Sequence, residues 1–231
     1  MSIRAQSVSK LYRGTASGTG QVVAVNNISL DINEGSCTAI FGPTGSGKTT
    51  LLTLLSGLSR PNTGEVIFHT LHLSQCSDRM ISTFREGHIG YIPQSMMLIK
   101  DLTVLENILA PNAFCTRRIK QLKAGAHLLI ERLNLQHKAS CKPAMLSGGE
   151  SRKVMIARAL VKRPAFLFAD EPISDLDDRS AGETLELFTE LQEEGSAIVI
   201  ASHKQLSLNS EADLYTIGDG KIMEYSRGGG T

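Results

Sequence analysis

Short apolar runs alternate with longer stretches in which apolar residues recur every three or four positions. That is the rhythm of strands alternating with helices in an α/β chain. Ile3–Ser9 alternates loosely and predicts a strand, and the small, flexible residues Gly14–Gly20 predict a loop or hairpin tip. Ile28, Leu30 and Ile32 alternate with polar neighbours, as in a strand with one buried face. Ser36–Phe41 predicts a buried strand that runs into a glycine-rich turn. Leu51, Leu52, Leu54, Leu55 and Leu58 mark the apolar face of a helix, with Gly57 and Pro61 as stop signals. Gly64–Phe68 and Ile89–Pro93 predict two further strands.

From about residue 95 to 160 the pattern changes. Strand signals give way to helical spacing, as in Ile119–Leu135, which predicts a helical insertion in the α/β domain. Strands return at Ala165–Asp170 and Ala197–Ser202. Leu214–Ile217 and Lys221–Tyr225 flank Gly218-Asp219-Gly220, a hairpin turn, and Ser226–Thr231 predicts a mobile tail. No internal repeat is visible. One domain spanning 1–231 is expected, with its core in about 1–94 and 161–231 and a helical subdomain in about 95–160.

Composition narrows the class. The 231 residues are 41% hydrophobic and 20% charged, which excludes wholesale disorder. The longest apolar runs, Ala165–Ala169 and Ala197–Ala201, fall far short of the roughly 20 residues a membrane span needs. Met1–Gln6 lacks the apolar core of a signal peptide. A net charge of +1 gives no electrostatic case for nucleic acid or an anionic membrane, and no nucleic-acid partner is expected. Cys37, Cys76, Cys115 and Cys141 form no Cys-x-x-Cys; they read as small packing residues in a reducing cytoplasm. His69 and His72 lack further metal ligands nearby, and Arg117-Arg118-Ile119-Lys120 reads as a solvated helix face.

The candidate chemistry begins at Gly42-Pro43-Thr44-Gly45-Ser46-Gly47-Lys48-Thr49, which fits G-x-x-x-x-G-K-[ST]. It lies between a predicted strand and a predicted helix, where backbone N–H groups and the helix N-terminus can cradle phosphate. Lys48 should reach β- and γ-phosphates, and Thr49 should ligate Mg²⁺. The buried strand Phe166–Ala169 ends in Asp170 and Glu171. In a P-loop fold Asp170 would hold the Mg²⁺ shell and Glu171 would polarise an attacking water.

With those features in place, Leu146-Ser147-Gly148-Gly149-Glu150 resembles the signature of ATP-binding cassette (ABC) ATPases, usually written LSGGQ. The resemblance covers nearly the whole chain. Gln94, after Ile89–Pro93, matches the family's Q-loop glutamine; Ser174-Asp175-Leu176-Asp177 matches its D-loop; His203 matches its switch histidine. Tyr12 stands where the family places an aromatic that stacks on adenine. The resemblance implies an α/β P-loop NTPase core with a mixed sheet, an N-terminal antiparallel β subdomain and an inserted helical subdomain. It implies ATP and Mg²⁺ as cofactors and ATP hydrolysis as the reaction. Lys48, Gln94, Glu171 and His203 would be catalytic, and Thr49, Gln94 and Asp170 would hold the metal. Tyr12, the loop from Gly42 to Thr50, Ser147, Gly148, Gly149, Glu150 and Asp177 would contact nucleotide.

In the family the signature residues contact ATP held by the other subunit. A second copy of the chain is therefore an expected partner, together with a transmembrane permease on a separate chain. The expected location is cytoplasmic, peripheral on the inner face of the cell membrane. The Gly42-Pro43-Thr44 start, the extension after Tyr12 and the glutamate of Leu146–Glu150 look most like lipoprotein-release and macrolide-export cassettes. The alternative is a soluble cassette acting on nucleic acid or ribosomes. Such members usually carry two cassettes or a long coiled coil, which the short stretch between Lys48 and Leu146 does not hold. An inactive regulatory cassette is opposed by the presence of Lys48, Asp170, Glu171 and His203. Departures from the common pattern are Glu150 for glutamine, Ser151-Arg152-Lys153 for a glutamine-rich stretch, Asp175 for a small residue and Ser202 for threonine. After Gln94 the residues Met96, Met97, Leu98, Ile99, Leu102, Val104 and Leu105 are apolar. The family places a docking groove for the permease here.

Overall fold

A computed structural model describes residues 1–13, 20–112, 119–204, 206, 208 and 211–227. Except for Gly20, the loop expected over Gly14–Gly20 lies outside the described residues; so do Cys115, Arg117, Arg118 and residues 228–231 of the expected tail. Ser226 and Arg227, assigned to that tail from sequence, instead close a strand.

Two sheets share the core. The first is antiparallel, in the order β2-β1-β4-β5, from β1 (Ser2–Arg13), β2 (Gln21–Asn33), β4 (Thr63–Phe68) and β5 (Leu71–His72). In β2 the inward set is Ile28, Leu30 and Ile32, the alternation visible in the sequence. The second sheet, β10-β9-β3-β8-β7-β6, is mixed. Its strands β3 (Cys37–Phe41), β6 (Ile89–Ile92), β7 (Phe166–Asp170), β8 (Ala197–Ser202) and β9 (Asp213–Gly218) run parallel; only β10 (Lys221–Arg227) is antiparallel to its neighbour. Asp219 and Gly220 both take positive φ (47° and 74°) in the turn between β9 and β10, the backbone a tight two-residue hairpin requires.

The central strands β7 and β8 are buried on both faces, which is why they read as continuous apolar runs. Phe166, Phe168, Ala197 and Val199 face a cluster shared with the antiparallel sheet and α1 (Lys48–Leu55). Leu167, Ala169, Ile198 and Ile200 face a second cluster shared with α3 (Val104–Leu109), α4 (Ile119–Arg132), α5 (Gly148–Leu160) and α6 (Asp178–Glu193). The α/β P-loop architecture expected from the sequence is the one observed. Helix α1 stops earlier than its leucines suggest: Gly57 turns left-handed at φ 68°, and Leu58 is exposed. Two helices had no counterpart in the sequence reading. They are α2 (Asp78–His88), capped by Ser77 and packed through Phe84 on Phe68, and α6, capped by Asp177.

Candidate functional site

Strand β3 delivers the chain into the turn at Gly42, and the turn ends where Gly47 opens α1. Glycine is required at both ends. A Cβ on Gly42 would lie 2.2 Å from the Ile217 carbonyl, and one on Gly47, at φ 102°, would lie 2.1 Å from the Ala24 carbonyl. Lys48 follows, buried, with its ammonium donating to the carbonyls of Gly42 (2.7 Å) and Pro43 (3.0 Å). The cation thus rests on its own loop, above a helix N-terminus whose free N–H groups favour an anion.

Thr49 and the end of β7 meet next. The Thr49 hydroxyl donates to Asp170 Oδ2 at 2.6 Å, while Asp170 Oδ1 is buried with no hydrogen-bond partner. Burial pushes the Asp170 carboxyl above its usual range, against the Thr49 hydrogen bond; the nearby Glu171 charge adds to the rise. An unpartnered carboxylate oxygen beside a hydroxyl is a hard-oxygen donor set that fits Mg²⁺. Among the described residues no group of three or more His, Cys, Asp or Glu side chains could hold a metal, so most of an ion's ligands would come from nucleotide and water.

Glu171 sits at φ 50°, a strained backbone for a residue with a side chain, fixed by its N–H bonding to the Ala201 carbonyl at 2.9 Å. Its side chain, 8% exposed, lies 2.9 Å from His203 Nδ1 at the end of β8. Lys48, Thr49, Thr50, Gln94, Asp170, Glu171 and His203, with Ala24, Thr44, Gly45 and Gly47, line one cavity of about 250 Å³. The β3 and β8 strands register Phe41 against Ser202, which brings the loop and His203 to the same edge. The carboxyl ends of parallel strands are where open α/β sheets bind ligands.

The other sequence candidates stand apart from that cavity. Ser147 caps α5: its Oγ accepts from the Glu150 N–H at 3.2 Å, and its own N–H donates to Glu150 Oε2 at 2.7 Å. That hydrogen bond holds the Glu150 carboxyl below its usual range, with Lys138 and His137 beside it. Ser147 and Gly148 are exposed, so the helix end points to solvent. Asp177 caps α6, accepting from the Ser180 N–H and hydroxyl, both at 2.9 Å. Tyr12, exposed near the end of β1, lies under the Lys10 ammonium at 5.6 Å and does not line the cavity. Met96, Met97 and Ile99 are exposed.

Sequence reasoning missed Arg152 and Asn107. Arg152, wholly buried, donates to the carbonyls of Pro93 (2.8 Å) and Gln94 (2.7 Å) and to Asp175 Oδ2 (2.7 Å). Its place on α5 before the buried run Val154–Ala157 marks a helix but not the carbonyls that hold a guanidinium there.

A family model described as "ABC transporter" matches residues 25–174. The chain is 38% identical over 212 residues to "Lipoprotein-releasing system ATP-binding protein LolD" of Bdellovibrio bacteriovorus, covering 91% of this chain and 96% of that one. It is 37% identical over 212 residues to an "Uncharacterized ABC transporter ATP-binding protein" of Thermotoga maritima, covering 92% and 91%. Its fold superposes with a TM-score of 0.90, at 30% identity and over 99% of this chain and 100% of the other, on a dimeric ATP-binding cassette in a post-hydrolysis state bound to ADP and Pi.

Proposed function

Because this chain belongs to the ABC transporter family and is an ATPase, we propose that it is the motor subunit of a transporter. It closes head-to-tail with a second copy around two ATP molecules and drives a permease carried on a separate chain. The observation behind this is the convergence on one cavity of Lys48, the Thr49–Asp170 pair and the Glu171–His203 pair.

Lys48 exchanges the carbonyls of Gly42 and Pro43 for the β- and γ-phosphates, where its charge is better used. Thr49 and Asp170, with Gln94, would hold Mg²⁺, which when bound would supply charge neutralisation at the phosphates. Glu171 accepts the proton of a water that attacks the γ-phosphorus; the bond from that phosphorus to the β–γ bridging oxygen breaks, and ADP leaves. His203 orients Glu171 through Nδ1. A neutral imidazole has one N–H. To donate to the γ-phosphate, His203 must turn that N–H from Glu171 or take a second proton. The partner copy supplies Ser147, Gly148 and Gly149, with Glu150 and Asp177 close by, and Tyr12 covers the adenine.

The likeness to LolD-type proteins, together with the Gly42-Pro43-Thr44 start and the Glu150 signature, supports a lipoprotein-release or macrolide-export type of system. The subunit is peripheral on the inner face of the membrane. No helix among the described residues is long and apolar enough to cross one.

The test is ATP turnover by the purified chain and three variants. Glu171→Gln should still bind ATP, lose about 10²–10⁴ in turnover and accumulate as an ATP-bound dimer. Near-normal turnover would overturn the assignment. Mixing Ser147→Arg with Lys48→Ala chains should restore modest activity, since one of the two composite sites then carries neither defect. Full activity of Ser147→Arg alone would refute the action in trans.

A further inference from the structure

Arg152 has no part in the chemistry above, yet it is the bulkiest fully buried side chain among the described residues. A buried guanidinium is costly unless its donors are paired, and apolar residues would pack such a position at no such cost. Here two of its nitrogens meet three acceptors, the Pro93 and Gln94 carbonyls and Asp175 Oδ2, and Nε is left without one. Those acceptors belong to two loops that each carry a site residue. One holds Gln94; the other leaves Glu171 and ends at Asp177. The second loop is short and tied at its start, because the Ser174 N–H (3.4 Å) and hydroxyl (3.1 Å) both donate to the Glu171 carbonyl. The third body is α5 itself, which opens on Ser147. Its Gly149 backs on the same loop: a Cβ there would stand 3.5 Å from the Asp175 carbonyl. Arg152 and Asp175 form an ion pair at 2.7 Å.

We propose that Arg152 is a positioning residue that fastens the Gln94 segment, the loop after Glu171 and the signature helix into one body. A displacement of Gln94 on nucleotide binding then moves Ser147–Gly149 and the Glu171 loop together. The proposal rests on the reading that Gln94, Glu171 and Ser147 serve one composite ATP site. The planar fork of arginine suits it, since a lysine ammonium cannot span the three acceptors in the same way.

The experiment compares full-length Arg152→Gln, Arg152→Lys, Asp175→Asn and the double variant Arg152→Gln/Asp175→Asn with the unmodified chain. Arg152→Gln and Asp175→Asn should bind ATP as monomers within about twofold of wild type, while kcat at saturating ATP falls about tenfold and KM rises with the ATP needed to dimerise. In a Glu171→Gln background both should need about tenfold more ATP to dimerise. The double variant should be no worse than Arg152→Gln alone, because the two residues act as a unit. Arg152→Lys should fall between Arg152→Gln and wild type. A merely structural role would lower the melting temperature but leave kcat per active site and the ATP dependence of dimerisation unchanged; that result overturns the proposal. Should Arg152→Gln not fold, Asp175→Asn, at a half-exposed side chain, decides alone. A wild-type chain that hydrolyses no ATP, or a Glu171→Gln chain that ATP does not dimerise, overturns the composite-site reading and this proposal with it. If both of those behave as expected but Asp175→Asn is indistinguishable from wild type, only the proposal falls.

Discussion

Replacing Asn107 with alanine offers a sharp test of how the segment after Gln94 is held. Asn107 is fully buried on α3. Its Nδ2 donates to the carbonyls of Ile99, Leu102 and Thr103, each at 3.0 Å, and its Oδ1 accepts the Ile99 N–H at 2.8 Å. Truncation deletes four hydrogen bonds but orphans fewer groups. The Thr103 carbonyl still accepts the helical N–H of residue 107, at 2.8 Å, and the Ile99 carbonyl still accepts the Leu102 N–H, at 3.2 Å. The groups left wanting are the Ile99 N–H and the Leu102 carbonyl. At about 1–3 kcal/mol for each unsatisfied group, and with water able to reach the exposed Ile99, the expected loss is about 2–4 kcal/mol. For a chain of this length that lowers the melting temperature by about 5–15 °C. Urea denaturation of the nucleotide-free protein should show an earlier midpoint at unchanged slope. A loss below about 1 kcal/mol would refute the accounting, since it would mean that the loop refits at almost no cost.

Three further outcomes are expected. Because burial raises the Asp170 carboxyl, the folded state holds its proton more tightly than the unfolded one. Its charge therefore costs stability that is absent below the unfolded value and grows as pH climbs to the folded one; Asp170→Asn should melt higher than wild type at about pH 8, with the gap closing toward about pH 4, and should lose turnover. A lower melting temperature at the higher pH would contradict this. Gly47→Ala, which drives a Cβ into the Ala24 carbonyl, should abolish nucleotide binding, whereas Gly45→Ala, in open space, should cost only the left-handed strain of about 1 kcal/mol; equal affinities in an equilibrium binding assay would count against the loop geometry. Met97→Asp, at a residue 59% exposed, should keep its fold and basal turnover but lose permease binding and stimulated turnover; an unfolded variant would show Met97 to be core instead.

Where the chain announces its fold, it does so through one period at a time. β2 was legible because one face meets water, so Ile28, Leu30 and Ile32 stand out against Asn27, Ser29 and Asp31. β7 and β8 were legible as unbroken apolar runs because both their faces are covered. The phosphate loop was legible because its glycines answer local backbone demands that no other residue meets. Helix α2 escaped because its buried face is only Ile81 and Phe84, too sparse to set a period amid Asp78, Arg79, Arg85 and Glu86. For α6 the signal is present, with Thr184, Leu187, Phe188 and Leu191 at helical spacing behind the Asp177 cap, but Asp177 also closes Ser174–Asp177, whose likeness to a D-loop hides the cap. Arg152 and Asn107 were invisible for a different reason. Their partners are backbone carbonyls and an N–H of loops whose path no periodicity gives. Buried polar residues of this kind become readable only when the tertiary structure supplies the acceptors.

The same hydrogen-bond ledger says what the nucleotide must do on arrival. In this structure each charged member of the site already has a partner inside the chain: Lys48 its loop carbonyls, Asp170 the Thr49 hydroxyl, Glu171 the His203 ring. The exceptions are Asp170 Oδ1 and the Ser46 hydroxyl, both buried and unpartnered. The site is therefore tied to itself at three points, through Lys48, Asp170 and Glu171. The Lys48 ammonium has a third N–H beyond the two that meet its loop carbonyls, and the Glu171 carboxylate has Oε2 for the water's proton while Oε1 stays on His203. Moving Lys48 from its carbonyls to phosphate trades one charge-assisted bond for another, so the net gain of that exchange is modest. Asp170 Oδ1, a buried acceptor beside the Thr49 hydroxyl, is accordingly where a nucleotide arriving with its metal ion should gain most.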